Sequence, residues 1–441
     1  MKGFTKLACF FALAGALAGC GGPETSSIEI DMKQYPNYVE NLNEANYSFG
    51  DKELQDPFWL GNIMYNESVM MMQKEGQTKI SGKLLYTPKK IISVRDYTLE
   101  KEYIEGTDFK VEGNEIILLN TDIEYRTEAE VSGNETKEHY AEKGYILDEV
   151  SYVNTVANIA NMGGTIYTES KFYYGAQLWV SYAYDLNEMI KDKDVFPSYS
   201  ADKLPLIKDK LEKKEPLKIV GLGDSVLEGC SSSGGMKHKP FLKNFMEYTK
   251  DGLERLYGTN VVLDNQAVGG KDASWGSENT QLNNVIAANP DLLILHFGIN
   301  DLGAGHGSMQ YYDDMQSIVL TIKNNLPNVS ILLLSPFAPF NGVYGEDKME
   351  AYAEQLTSLA LENDNTAFFD MYHFSKFLEN RKNYYDMTGN GINHVNDFAS
   401  RIYVQSLLQY FTIFKKKTTN KNNFRKGDKI NEKIISKIDV A

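Results

Sequence analysis

The hydrophobic pattern of the chain changes character near residue 217. Before that point, short stretches rich in Tyr, Val, Ile and Phe alternate in places with polar positions, and turn signals such as Glu112-Gly113-Asn114 separate them. Alternation with a period of two is typical of strands that bury one face. The clearest examples are residues 82–88, 107–120 and 171–186. The pattern predicts a β-rich, sandwich-like domain over residues 35–200.

After residue 217, short apolar runs alternate with segments of helical period. We predict strands at 217–225, 260–270, 291–301, 329–337 and 366–373, and helices at 238–257, 277–288, 309–325, 346–362 and 397–412. Strands that alternate with helices form a parallel sheet covered by helices on both faces. The sequence therefore predicts an α/β domain over residues 217–413. A charged, Pro-bearing stretch at 201–216 is predicted as the linker between the two domains.

The first twenty residues have the pattern of an export signal. Lys2 and Lys6 precede an apolar stretch, Leu7 to Leu17, which is short for a membrane span. The stretch ends in Leu17-Ala18-Gly19-Cys20, which resembles a bacterial lipobox; an uncleaved anchor or a buried helix is the alternative. The resemblance implies a signal peptide at 1–19, lipidation of Cys20 and a tether at 20–34. We expect a cell-envelope protein, lipid-anchored to a bacterial membrane and facing outside the cytoplasm.

The cysteines and the C-terminal tail complete this organisation. The chain has three cysteines, and the predicted cleavage removes Cys9 and lipidates Cys20. Cys230 is then left without a partner, so we expect no intrachain disulfide in the mature protein. Residues 414–441 are rich in Lys and Asn, and we predict a basic, solvated tail there.

The charge of the chain restricts its partners. The formal net charge is -15 at pH 7. This argues against nucleic acid, whose phosphates attract basic surfaces. A neutral ester or a carbohydrate suits such a surface. The chain has neither an HExxH motif nor paired cysteines, so we predict no metal and no cofactor.

Candidate catalytic residues follow the predicted strands of the α/β domain. In parallel sheets, ligands bind beyond the carboxyl ends of the strands. Ser225 follows the first strand, Gly270 the second and Asn300 the third, and His394 precedes the last helix. A histidine can take the proton of a serine hydroxyl, while a glycine N–H and a side-chain amide can bind an anion. Taken singly, the serine, glycine and asparagine could equally be a helix cap, a turn glycine and an Asx-turn.

Taken together, these residues resemble a known family. Ser225 in GDS, Gly270, Asn300 in GIND and His394 in NHVND look like the four blocks of the SGNH (GDSL-type) hydrolase superfamily, over residues 217–413. The resemblance implies a flavodoxin-like parallel sheet, with Ser225 as nucleophile and His394 as general base. The backbone N–H groups of Ser225 and Gly270, with the Asn300 amide, would form the oxyanion hole. Such enzymes hydrolyse esters through an acyl-enzyme.

One position departs from the family pattern. The family usually has Asp three residues before the histidine, where this chain has Gly391. Asp386 or a backbone carbonyl could orient the imidazole instead, and the third catalytic group stays open. Asp397 is expected to cap the last helix. Of the other polar residues nearby, Asp224 is expected to have a structural role, His296 to be packed inside a strand, and Cys230 not to act as a nucleophile.

The order of the two domains bears on the substrate. A β-sandwich before an SGNH domain is similar to some carbohydrate esterases that remove acetyl groups from plant polysaccharides. The resemblance implies a serine esterase acting on O-acyl, and specifically O-acetyl, esters of carbohydrate. The alternatives are a lipase, lysophospholipase or thioesterase for longer acyl chains, or a catalytically inactive glycan-binding lipoprotein. Trp59 and Trp179 could stack on sugars, but we expect them in the core. The oligomeric state is left open.

Overall fold

The computed structural model describes residues 37–144, 164–230, 232–344 and 346–414. The predicted signal peptide, the tether and Cys20 lie outside these ranges, as does the predicted tail from residue 415 onward. Phe414, the first residue of that tail, is buried and packs in the core. Within the described ranges, every helix is too short or too polar to cross a bilayer.

Two sheets make up the described part of the N-terminal region. Its strands are β1 (Ile63–Met70), β2 (Met72–Gln73), β3 (Ile80–Lys83), β4 (Pro88–Arg95), β5 (Glu102–Tyr103), β6 (Phe109–Glu112), β7 (Glu115–Leu118), β8 (Arg126–Thr127) and β9 (Gln177–Tyr184). One sheet has the order β1-β9-β4-β5 and is antiparallel. The other has the order β6-β7-β3-β2-β8. The sequence prediction of a β-rich region before the α/β domain is confirmed.

Short helices connect these strands, and one of them corrects the sequence prediction. They are α1 (Asp51–Gln55), α2 (Glu128–Val131), α3 (Lys137–Glu142), α4 (Lys171–Tyr174), α5 (Leu186–Ile190) and α6 (Pro205–Lys213). Helix α4 occupies the start of the stretch 171–186, predicted as one strand, because Ser170 caps it by accepting the N–H of Phe172. Part of the predicted linker at 201–216 is helical, at α6. There, Pro205 begins a helix that buries Ile207 and Leu211.

The C-terminal region is a parallel sheet with helices between its strands. The strands are β10 (Leu217–Gly223), β11 (Val261–Asn265), β12 (Leu292–His296), β13 (Ser330–Leu334) and β14 (Thr366–Phe369). All neighbouring pairs are parallel, in the order β11-β10-β12-β13-β14. This is the 2-1-3-4-5 order of flavodoxin-like sheets, the sheet type that the family resemblance implies.

Ten α-helices lie in the described part of this region; five lie near the predicted helices, and the other five, each nine residues or shorter, were not predicted. The ten are α7 (Ser225–Glu228), α8 (Phe245–Tyr257), α9 (Ala273–Gly276), α10 (Asn279–Ala288), α11 (Ile299–Ala304), α12 (Ser308–Asn325), α13 (Asn341–Tyr344), α14 (Glu346–Glu362), α15 (Met371–Glu379) and α16 (Asp397–Phe411). Helix α8 begins later than predicted because Asn244 caps it. The last predicted strand ends early because Asp370 accepts the N–H of His373 and starts α15.

The two regions share one hydrophobic core. Trp59, from the N-terminal region, stacks on Phe196 with ring centroids 5.4 Å apart and meets Phe374 of α15 edge-on at 5.5 Å. Trp59 and Trp179 are 3% and 4% exposed, so both lie in the core, as expected. An apolar interface of this kind makes the two regions pack as one unit.

A buried ionic cluster also joins the two regions. The ammonium group of Lys382 contacts the carboxylate of Glu67 in β1 and lies 3.2 Å from Oδ2 of Asp386; all three side chains are fully buried. Oδ1 of Asp386 accepts the N–H of Met70 at 2.7 Å, and Glu67 accepts the hydroxyl proton of Tyr182 at 2.6 Å. Burial raises the pKa of Asp386 to about 6, against the opposing effect of the lysine. Removal of one of these buried charged groups would leave its partners uncompensated, which is strongly destabilising.

Removing the cation of this cluster tests how much the cluster contributes to the stability of the fold. Lys382→Met leaves two carboxylates buried without their partner, so we expect the free energy of unfolding to fall by about 3–5 kcal/mol. The matched control is Lys213→Met, where the side chain is 62% exposed and pairs with Asp209 at 3.3 Å. We expect a change of about 0.5 kcal/mol or less there. Urea denaturation of both variants measures the difference, and equal small losses would contradict the assignment.

Asp397 is a second buried carboxyl, at the first position of α16. The cap of this helix is Asn396, whose side-chain oxygen accepts the N–H groups of Phe398 and Ala399, so the expectation that Asp397 caps is wrong. Oδ1 of Asp397 instead accepts the N–H of Ser233 at 2.8 Å. Burial raises the pKa of Asp397 to about 6, while the hydrogen bonds from Ser233 oppose that rise.

This raised pKa predicts a pH dependence of stability. Between about pH 4 and 6 the folded protein keeps a proton on Asp397 that the unfolded chain releases. The group's contribution is therefore complete below about pH 4 and is lost as the pH rises through 6, on the order of 3 kcal/mol. In Asp397→Asn this loss is absent, so the stability of the variant relative to the wild type should increase from pH 4 to pH 7. Urea denaturation across that range, with Asp209→Asn as the exposed control, measures it; parallel curves would refute it.

Candidate active site

Ser225 lies at the carboxyl edge of the parallel sheet. Strand β10 ends at Gly223, where a Cβ atom would lie 2.4 Å from the carbonyl oxygen of His296, so the close approach of β10 to β12 requires glycine. Asp224 then caps α7 by accepting the N–H of Val226 at 3.0 Å. Ser225 is the first residue of that helix and is 6% exposed. The turn therefore holds the hydroxyl group at the edge of the sheet in a nearly buried position.

His394 approaches Ser225 from the loop before α16. Its Nε2 atom lies 2.8 Å from Oγ of Ser225. The loop is shaped by Asn390, whose side-chain oxygen accepts the backbone N–H groups of residues 392–394, each at 3.0 Å. A nucleophile and a base within hydrogen-bonding distance are what serine catalysis requires.

Gly270 and Asn300 lie at the ends of the neighbouring strands. Gly270 follows β11 with φ +74°, and the space where a side chain would begin is open. Asn300 is in the first turn of α11, and its Nδ2 donates one N–H to the carbonyl oxygen of Lys271 at 2.8 Å. The amide has a second N–H, which can bind a ligand. Both residues are thus placed to offer hydrogen bonds beside Ser225.

The four residues singled out from the sequence line one cavity. Ser225, Gly270, Asn300 and His394 all border a space of about 620 Å³. It lies where the strand order reverses between β10 and its two neighbours, the position at which open α/β sheets bind ligands. The N-terminal region contributes to the same cavity through Tyr167 and Glu169.

The group that contacts His394 on the side away from Ser225 is neither Asp386 nor a backbone carbonyl, the two candidates from the sequence. Asp386 is committed to the Lys382 cluster. Nδ1 of His394 instead lies 2.6 Å from Oε1 of Glu169, whose side chain is 34% exposed. The two atoms are in contact, but their geometry is not that of a hydrogen bond; catalytic hydrogen bonds often become well aligned only in the complex with substrate. Sequence reasoning missed Glu169 because it lies outside residues 217–413; the signal available was Gly391, which stands where the family pattern has an acid.

A series of buried, hydrogen-bonded side chains lies beneath Ser225. Oδ1 of Asp224 lies 3.0 Å from Nδ1 of His296, and Nε2 of that ring lies 3.2 Å from the hydroxyl of Tyr403. All three residues are fully buried. Asp224 and His296 therefore have the structural roles expected from the sequence, and they connect β10, β12 and α16 beneath Ser225.

Cys230 borders the cavity but is not activated. Its Sγ lies 3.8 Å from Oε2 of Glu228. Burial and then the charges of Glu228 and Glu169 raise the pKa of the thiol to about 11. The thiol therefore stays protonated at neutral pH, and a protonated thiol is a weak nucleophile.

Comparison with known proteins agrees with this geometry. A family model described as the GDSL-like lipase/acylhydrolase family matches residues 222–402. The matched range contains Ser225, Gly270, Asn300 and His394 but not Glu169. No curated protein matches the chain.

Several solved structures are similar to part of the chain. A variant of an acetyl-xylooligosaccharide esterase from Geobacillus stearothermophilus is 20% identical over 43% of this chain and 91% of its own, with a TM-score of 0.35. A two-domain esterase active on acetylated mannans is 20% identical over 49% of this chain and 54% of its own, with a TM-score of 0.38. TesA is 19% identical over 43% of this chain and 95% of its own, with a TM-score of 0.35. Residues 222–402 are thus similar to the GDSL-like lipase/acylhydrolase family, and this match, together with the contact between Ser225 and His394, supports a serine ester hydrolase of the SGNH type.

Proposed function

We propose that the protein hydrolyses O-acetyl esters on carbohydrate through an acyl-enzyme on Ser225. The observation that carries the proposal is the chemistry of the cavity wall. Beside the catalytic groups, the described wall presents the carboxylates of Glu169 and Glu228, the amide of Asn393 and the phenol of Tyr167, with Met236 as its one large aliphatic side chain. Carboxylates and amides can hydrogen-bond the hydroxyl groups of a sugar.

The same wall disfavours the alternative substrates. Long acyl chains bind in pockets lined mainly by hydrophobic side chains. Phospholipids and coenzyme A thioesters carry phosphate, which two nearby carboxylates repel. Among the described lining residues there is neither Lys nor Arg to compensate that repulsion. A short acyl group on a neutral, hydroxyl-rich alcohol fits best.

In the proposed acylation step, Oγ of Ser225 attacks the ester carbonyl carbon while Nε2 of His394 takes its proton. The carbonyl oxygen becomes an oxyanion, which accepts hydrogen bonds from the backbone N–H groups of Ser225 and Gly270 and from the amide of Asn300. The protonated imidazole then gives its proton to the sugar oxygen as the carbon–oxygen bond breaks. The products of this step are the free hydroxyl group of the sugar and an acetyl-enzyme.

Deacylation repeats these steps with water. His394 takes a proton from a water molecule, whose oxygen attacks the acetyl carbon of the acyl-enzyme. The same donors bind the second oxyanion, and the imidazole returns the proton to Oγ of Ser225 as acetate leaves. The two steps together replace one difficult hydrolysis with two easier reactions.

Loss of either member of the pair should abolish turnover. We expect Ser225→Ala and His394→Ala each to lower kcat for p-nitrophenyl acetate by about 10⁴-fold or more. The control is Ser358→Ala, on the exposed face of α14, which should keep wild-type activity. Hydrolysis of p-nitrophenyl acetate, butyrate and octanoate, together with acetate release from O-acetylated oligosaccharides, measures these effects and the acyl preference.

Each outcome of this assay favours one of the functional hypotheses over the others. Preference for acetate, lost in both variants, supports the proposal. Preference for octanoate would favour the lipase alternative. A folded wild-type protein without activity on any ester would leave the inactive glycan-binding lipoprotein as the better account, and full activity in Ser225→Ala would overturn the proposed mechanism.

We further propose that the mature protein is anchored in a bacterial membrane by lipid on Cys20. The support is the sequence pattern alone: the positive Lys2 and Lys6, the apolar stretch after them and the small residues before Cys20. In a bacterial host supplied with labelled palmitate, the wild type should carry label in the membrane fraction and Cys20→Ala should carry none. Equal labelling of both would refute the anchor.

A further inference from the structure

The loop that carries His394 has no carboxylate of its own beside the imidazole, and the N-terminal region provides one. We infer that Glu169 is the acidic member of the catalytic group, which positions His394 and stabilises its protonated form. The inference rests on the proposed function and deepens it. Glu169 contacts the histidine through Nδ1, at 2.6 Å, while Nε2 of the same ring faces Ser225 at 2.8 Å.

The place where the family carries its aspartate is sterically closed in this chain. Gly391 has φ +88°, a conformation that residues with side chains rarely adopt. A Cβ atom there would lie 2.2 Å from Oη of Tyr173 and 2.4 Å from the carbonyl oxygen of Ile166. Both atoms belong to the segment 166–173, which also carries Glu169. The segment 166–173 therefore excludes an aspartate at position 391 and also carries Glu169, the carboxylate that takes its place.

Hydrogen bonds fix this segment against the histidine loop. The N–H of Thr168 donates to the carbonyl oxygen of Asn390 at 3.2 Å. Nδ2 of Asn390 donates to Oε1 of Glu169 at 3.0 Å, while its side-chain oxygen accepts the N–H of His394. Asn390, which is fully buried, thus holds the carboxylate and the histidine backbone in one unit.

The other carboxylates near the nucleophile are committed elsewhere. Asp224 binds His296, Asp386 binds Lys382, and Asp397 accepts the N–H of Ser233. Glu228, the second carboxylate on the cavity wall, accepts the N–H of Gly269 at 2.7 Å. Glu169 is the carboxylate whose oxygen reaches the imidazole.

The chemistry explains what the carboxylate contributes. When His394 takes the serine proton, its ring becomes positively charged, and a carboxylate beside Nδ1 stabilises that charge. Before the reaction, the same carboxylate favours the tautomer with the proton on Nδ1, so that the lone pair of Nε2 faces Ser225. Because the Glu169 side chain is 34% exposed, water screens part of this effect. Loss of a buried triad carboxylate costs ~10⁴-fold in kcat, and we expect about 10²-fold here. Glu169 is a positioning residue, since it acts through His394.

The test compares charge and length at this position in the full-length protein. Glu169→Gln keeps the acceptor for Asn390 but removes the charge, so kcat for p-nitrophenyl acetate should fall about 10²-fold with KM changed by about threefold or less. Glu169→Asp keeps the charge and should retain roughly tenfold more activity than the glutamine variant. Glu105→Gln, an exposed glutamate of the same region, should match the wild type. Urea denaturation should give equal stabilities for Glu169→Gln and the wild type.

A substrate-independent measurement separates this inference from the proposed function. A fluorophosphonate reacts with an activated serine: Oγ forms a bond to phosphorus, fluoride leaves, and the histidine takes the serine proton. Slower labelling of Ser225 in Glu169→Gln would support the inference even if no acetyl ester were hydrolysed. Wild-type kcat and labelling in Glu169→Gln would overturn the inference and leave the esterase proposal standing. Equal losses in the Gln and Asp variants, or a higher KM at unchanged kcat, would also overturn it.

Discussion

The turn at residues 388–394 is the constraint on which the rest of the site depends. A buried amide, that of Asn390, accepts the N–H groups of residues 392–394 and donates to Glu169. Because Nε2 of His394 must lie within hydrogen-bonding distance of Ser225, a small rotation of this turn would separate the pair. The cost of such misplacement is high, since an error of about 1 Å in a catalytic geometry can lower a rate by ~10²-fold.

The site lies where two structural regions meet, so the packing between them is part of its chemistry. The edge-on contact of Trp59 with Phe374 and the buried contact of Lys382 with Glu67 hold the N-terminal region against the C-terminal region. Tyr167 and Glu169 reach the cavity only because that packing places their segment beside the histidine loop. The β-rich region is therefore a structural part of the candidate active site.

The cavity wall carries negative charge, as the whole chain does. The protein carries a formal net charge of -15, and Glu169 and Glu228 add negative charge at the wall of the cavity. One carboxylate can stabilise a transient imidazolium, while the pair disfavours anionic substrates. Burial, and after it these carboxylates, raise the pKa of the Cys230 thiol to about 11, so that the thiol stays protonated. Ser225, by contrast, lies within hydrogen-bonding distance of His394.

Periodicity along the chain was enough to predict the parallel sheet and to place Ser225 and Asn300 after strands, at its carboxyl edge. The choice of Gly270 and His394 as their partners came from the resemblance to the SGNH sequence blocks. The sequence could not place Glu169 or the start of α8, nor show that residues 205–213 are helical. The burial of Ile207 and the reach of Glu169 to His394 depend on contacts between segments far apart in the chain. The contact of Glu169 with Nδ1 of His394 is visible only in the tertiary structure, because the two residues are far apart in the chain and folding alone brings them together.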